Sequence, residues 1–175
     1  MKNPILKFIL LGTILYLGWY FFYELYLLPH THLDEYLVNF LVESSEKFIH
    51  LLGFELRTFQ DGEFKNHLAI AHTAGVTIGA PCDGMILMAL FMIFVLAFPG
   101  TWKNRLWFIP MGLILIQFFN IIRIVSLALI VYWNEAYLSF NHDYTFTVFV
   151  YSVVFALWWW WSKLNSSKDV QEKTP

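Results

Sequence analysis

Four stretches of the chain are apolar enough, and nearly long enough or longer, to cross a bilayer: 5–28, 84–99, 106–133 and 142–161. The second is short and gains length only if Cys82 to Gly100 is counted. The third is longer than about 20 residues and must tilt or protrude. The fourth closes on Trp158-Trp159-Trp160-Trp161, a belt suited to a membrane interface. Between the first two spans lies a long polar loop, 29–81, which opens with a different pattern. Leu33, Tyr36, Leu37, Phe40, Leu41, Phe48, Leu51 and Leu52 fall on one helical face, and Asp34, Glu35, Glu43, Glu46 and Lys47 on the other. That predicts an amphipathic helix on the membrane or over the bundle. Farther on, His67 to Ile78 alternates weakly around Gly75, as a small hairpin does. Residues 1–163 form a single membrane domain, and the polar tail 164–175 is expected to be disordered and cytoplasmic.

Composition supports that all-α integral membrane reading. Of 175 residues, 58% are hydrophobic and 20% aromatic, and only 14% are charged. A compact soluble domain of this size leaves about a third of its surface exposed and could not hide so much apolar area. The net charge of -2 excludes nucleic acid as a partner by charge. The first span is too long for a cleavable signal, and Pro29-His30-Thr31-His32 offers no small-residue cleavage site, so it reads as a retained anchor.

Orientation follows from Lys and Arg. Lys2, Lys7, Lys103, Arg105, Lys163, Lys168 and Lys173 fall on one side, and Lys47, Arg57 and Lys65 on the other. Positive residues favour the cytoplasm, which makes both termini internal and the 29–81 loop external. The chain is therefore expected in the cell membrane with four helices, N-in and C-in.

Three polar residues stand out on this topology. Cys82 precedes the second span, and His142 opens the fourth, both at the outer end. Arg123 lies 18 residues beyond Arg105 at the inner boundary, or about 27 Å up a core of roughly 30 Å. Taken singly, each has an ordinary reading. A lone cysteine is more often a buried hydrophobe, a histidine at a helix start can be a cap, and Arg123 can pair with Glu24, Asp83 or Asp143. Arginine within a span is costly, however, and is a functional candidate by default. Together the three supply a nucleophile, a proton carrier and an oxyanion stabiliser. Asn120, Asp83 and Asp143, with Glu24, are the expected supporting residues, because an embedded Arg needs acceptors and a catalytic His an orienting partner.

Pro81-Cys82-Asp83-Gly84 starting a span, Asn120-Ile121-Ile122-Arg123-Ile124 late in the next, and His142 opening a further one resemble the exosortase/archaeosortase family. The resemblance covers roughly Val76 to Trp161. It implies a multi-pass membrane cysteine transpeptidase in which Cys82 is nucleophile, His142 acid/base and Arg123 transition-state stabiliser, with no cofactor or metal. It also implies a partner: an exported protein with a C-terminal motif, a hydrophobic helix and a basic tail, transferred after cleavage to an unknown acceptor at the outer face. The chain departs from the family at Pro81, Asp83 and Phe146, where small residues are usual. Its four spans, against about eight in many members, make it a compact core.

Two other classes fit parts of the sequence. His30, His32, His67, His72 and His142 are all external and suit Zn or Cu, although no spacing is a recognised site. A non-catalytic scaffold would account for the aromatic content but not for the Cys/Arg/His convergence. A transporter is disfavoured, since only Arg123 is charged deep within a span.

Overall fold

A computed structural model describes residues 3–57, 66–79 and 82–171. Pro81, Lys2, Lys65, Lys173 and the loop position Glu63 lie outside the described residues. The chain is helical with one small hairpin. The elements are α1 (Pro4–Phe22), a π-helical stretch (Tyr23–Leu27), α2 (Leu28–His30), α3 (Leu33–Leu51), β1 (His67–Leu68), β2 (Val76–Thr77), α4 (Met85–Ala97) and α5 (Trp102–Asn134). A 3-10 turn (Glu135–Tyr137), α6 (Leu138–Phe140), a second π-helical stretch (Asn141–Thr145) and α7 (Phe146–Gln171) complete it. Two helical runs, Ile5–His30 and Trp102–Asn165, are long and apolar enough to cross a membrane, and α4 is a shorter apolar helix. The second run is broken at Asn134, whose backbone is extended (φ −163°, ψ 105°) and whose side chain accepts from the Ala136 N–H.

The residues divide into two compact units. The first comprises 3–31, 86–116 and 152–171. Its core is aromatic: Phe91, Phe108 and Trp161 are fully buried with Val95 and Ile116. Phe94 stacks on Trp158 at 4.6 Å between centroids, and Phe108 lies 4.9 Å from Trp161. A Cβ on Gly112 would overlap the Phe91 ring, so α4 and α5 pack closely only because that position is glycine. α1 touches α4 where Phe8 meets Phe94 edge-on at 5.6 Å and Gly12 faces Ala97. The rest of α1 is exposed apolar surface all round, the pattern of a helix solvated by lipid.

The second unit comprises 32–57, 66–79, 82–85 and 117–151. β1 and β2 pair antiparallel, His67 opposite Thr77 and Leu68 opposite Val76, with an isolated bridge between Leu56 and Ile70. The hairpin places Leu68, Ile70, Val76 and Ile78 against Val38, Leu41, Val42 and Ile49 of α3 and against Ile124, Leu127, Ala128 and Val131 of α5. This small aliphatic core fixes the segment that leads into Cys82.

Two expectations need correction. On α3, the face expected to pack is not the one that does: Leu33, Tyr36, Phe40, Phe48 and Leu51 are exposed, whereas Val38, Leu41, Val42, Ser45 and Ile49 are buried. The interior face sits roughly a third of a turn away and carries Asp34, half-buried, which was expected on the solvent side. The tail also differs. α7 continues to Gln171, through most of the segment expected to be disordered, because no Pro or Gly interrupts it after Trp161. The helix boundaries shift from the expected spans as well: α4 is shorter than 84–99, and α5 begins ahead of residue 106.

Candidate active site

Cys82, Arg123 and His142 all belong to the second unit, and the structure brings their side chains together. Arg123 Nη2 donates to Cys82 Sγ at 3.0 Å, and His142 Nε2 lies 3.5 Å from the same sulfur. Cys82 is half-buried, Arg123 is 9% exposed, and the His142 side chain is 41% exposed. The thiol therefore has a cation against one side and an imidazole open to solvent on the other. A guanidinium at hydrogen-bond distance favours thiolate over thiol.

The chain holds the cysteine from α5. Gln117, Asn120 and Arg123 recur at three-residue spacing on one face of that helix, so their side chains line up. Gln117 Nε2 donates to the Asp83 carbonyl at 2.9 Å, and Asn120 Nδ2 donates to the Cys82 carbonyl at 2.9 Å. Asn120 Oδ1 in turn accepts from Arg123 Nη1 at 3.4 Å. Asn120 is fully buried and ties the backbone of the nucleophile to the cation beside its sulfur. Gly84 completes the turn with φ +82°, a conformation other residues rarely adopt. A Cβ there would stand 3.2 Å from Asn120 Nδ2.

The remaining expected residues have distinct positions. Asp143 Oδ1 is 2.9 Å from His142 Nδ1, so a proton on Nδ1 leaves Nε2 basic and aimed at Sγ. Asp83 is buried at 2% exposure, just ahead of the apolar segment of α4, but its carboxylate does not face Arg123. Its Oδ1 accepts from the Met85 N–H at 2.7 Å, capping α4. Burial raises the Asp83 carboxyl to about 6, the Met85 N–H opposes that, and the charge of Asp34 and a hydrogen bond to its carboxyl raise it further. Asp34 thus buttresses the cysteine turn from α3. Glu24 is exposed and belongs to the first unit. Among the described residues Arg123 forms no carboxylate ion pair; its partners are Asn120 and the thiol.

Gln117 and Asp34 were not foreseen. Gln117 had a signal, a polar residue six before Arg123 in an apolar helix. Asp34 had a weaker one, its place four and eight residues before Val38 and Val42 on the interior stripe. The external histidines do not converge. His67 is held by Thr77 Oγ1 at 2.9 Å and the Ala74 carbonyl at 2.8 Å, and His32 sits 3.3 Å from Glu35. Among the described residues no three His, Cys, Asp or Glu side chains gather as a metal site would require.

A helical chain with lipid-type apolar surfaces and a thiol placed between an arginine and a histidine defines a membrane protein built for cysteine chemistry. The chain belongs to the transmembrane exosortase family, whose model matches residues 6–160. Membership places it among membrane sorting enzymes in general. No curated protein and no solved structure matches the chain.

Proposed function

We propose that this protein is a membrane cysteine transpeptidase that cleaves a C-terminal sorting signal from exported proteins and transfers them to a surface acceptor. The observation that carries the reading is the placement of Cys82 Sγ 3.0 Å from Arg123 and 3.5 Å from His142. Sγ attacks the scissile carbonyl carbon while its proton passes to His142 Nε2. The tetrahedral oxyanion is stabilised by Arg123, whose forked donors match it. His142 then gives its proton to the leaving amine, the C–N bond breaks, and a thioester remains on Cys82. An acceptor hydroxyl, amine or water loses a proton to His142 and attacks that thioester, which returns the thiol. Asn120 and Gln117 keep the Cys82 and Asp83 carbonyls fixed throughout.

In this reading four helices cross the cell membrane with both termini in the cytoplasm, α3 lies at the outer surface with its exposed Leu33, Tyr36 and Phe40 in the interface, and the site faces outward. Reporter fusions at Glu63 and at the C-terminus test this. The first should report an external position and the second a cytoplasmic one, and the reverse pattern would place the chemistry on the wrong side for exported proteins.

The reaction is tested with an exported substrate carrying a hydrophobic C-terminal helix and a basic tail. The expected result is a shift in substrate mass and an acyl-enzyme released by hydroxylamine. Arg123→Lys keeps the charge and loses the fork, so it is expected to process this substrate roughly 10²–10³-fold more slowly while leaving a measurable trace. A neutral Arg123→Lys would remove the oxyanion role. A scaffold would form no acyl-enzyme at all.

A further inference from the structure

Within the first unit, two contiguous cavities run along α1, and the charges at their rim have no local partner. One, of about 640 Å³, is walled by Leu11 and Leu15 of α1 and by Phe98, Trp102 and Arg105 of the α4–α5 turn, with Lys7 at its edge. The other, of about 350 Å³, continues along α1 past Gly12, Thr13 and Tyr16 against Phe94 and Trp158, and its lining is almost wholly apolar. Phe8 and Ala97 line both, so the two form one groove with a cationic mouth and an apolar floor. From Lys7 to Leu17 the groove follows about 15 Å of helix, most of an extended acyl chain.

The mouth is built for negative charge. Arg105 is fixed at the rim: Nη2 donates to the Leu96 and Phe98 carbonyls at 3.3 and 3.1 Å, and the guanidinium lies 4.9 Å from the Trp102 ring centroid. Its Nε is buried and makes no hydrogen bond among the described residues. Lys7 is exposed, and neither cation forms an ion pair among the described residues. The sequence explains why. In 3–31, 86–116 and 152–165, Glu24 is the single carboxylate, and it lies roughly 25 Å along α1 from Lys7. Two cations over an apolar groove with no carboxylate in reach need an anion that brings its own hydrocarbon.

We propose that this groove binds an anionic diacyl phospholipid, with the phosphate between Lys7 and Arg105 and one acyl chain along α1 against Phe8, Thr13 and Phe94. The inference stands whether or not Cys82 acts as a nucleophile. Each cation near an anionic headgroup contributes about a fivefold preference, so the pair should favour an anionic over a zwitterionic lipid by roughly thirtyfold.

The test is native mass spectrometry of the full chain in detergent, titrated with phosphatidylglycerol or phosphatidylcholine of identical acyl chains. One saturable phosphatidylglycerol is expected, bound about thirtyfold more tightly than phosphatidylcholine. Lys7→Glu, at an exposed position, should erase that preference without changing helical content. Thr13→Trp leaves both charges and fills the apolar floor, and should weaken both lipids alike. Glycerol 1-phosphate, which has the anion and no tails, should not compete. Equal affinity for the two lipids, a preference that survives Lys7→Glu, unchanged binding by Thr13→Trp, or displacement by glycerol 1-phosphate would each overturn the proposal.

Discussion

Cys82→Ala should leave no measurable processing of a substrate with a C-terminal hydrophobic helix, and no hydroxylamine-sensitive adduct. The reason is that covalent catalysis has no partial form. Without Sγ no thioester can exist, and what remains around the substrate is a cation and an imidazole with nothing to activate. Cys82→Ser makes the sharper comparison. The hydroxyl fits the same space, yet a guanidinium at 3.0 Å that suffices to favour a thiolate falls several pKa units short of ionising an alcohol. Serine should therefore be nearly inactive as well. The chain should still fold, because the Asn120 bond goes to the Cys82 carbonyl and not to its side chain. Size-exclusion profiles and helical circular dichroism of both variants should match the parent protein. Full processing by Cys82→Ala would end the transpeptidase reading and return the chain to a scaffold role.

The site was legible because depth in a membrane can be counted. Arg105 fixes one boundary, and a rise of 1.5 Å per residue carries Arg123 to the level of a cysteine and a histidine that each mark a helix start. The same arithmetic could not reach Gln117 or Asp34. Gln117 lies deeper than the reacting atoms and acts on backbone carbonyls, which carry no sequence signal. Asp34 acts through the Asp83 carboxyl, a contact across elements that no spacing within one helix reveals.

α3 was misread for a physical reason. In a soluble protein the most apolar face of a helix is the packed one, because water penalises every alternative. At a bilayer that rule weakens, since lipid accepts Leu33, Tyr36 and Phe40 as readily as a core does. Packing then selects for shape: Val38, Val42 and Ser45 are small enough to let α3 approach the hairpin and α5, and a polar Asp34 joins the same stripe because it has a partner there. The apolar pattern located the helix and its lipid-type face. It did not locate the interior.

His142→Ala should slow processing by on the order of 10²–10⁴, the range for loss of a positioned proton carrier. A residue that merely filled space at 41% exposure would not do so. The decisive readout is rescue. Truncation leaves a solvent-open gap beside Sγ, so added imidazole should restore part of the rate to His142→Ala and none to Cys82→Ala. Asp143 separates orientation from proton transfer. Its carboxylate is 2.9 Å from Nδ1 but 62% exposed, so water screens its charge and its main contribution is to hold the ring and its tautomer. Asp143→Asn should accordingly cost on the order of tenfold, well short of the His142→Ala loss. If Asp143→Asn proved as damaging as His142→Ala, the pair would be acting as one unit despite its exposure. If imidazole failed to rescue His142→Ala, the histidine would be holding the cysteine turn in place, and another group would have to move the proton.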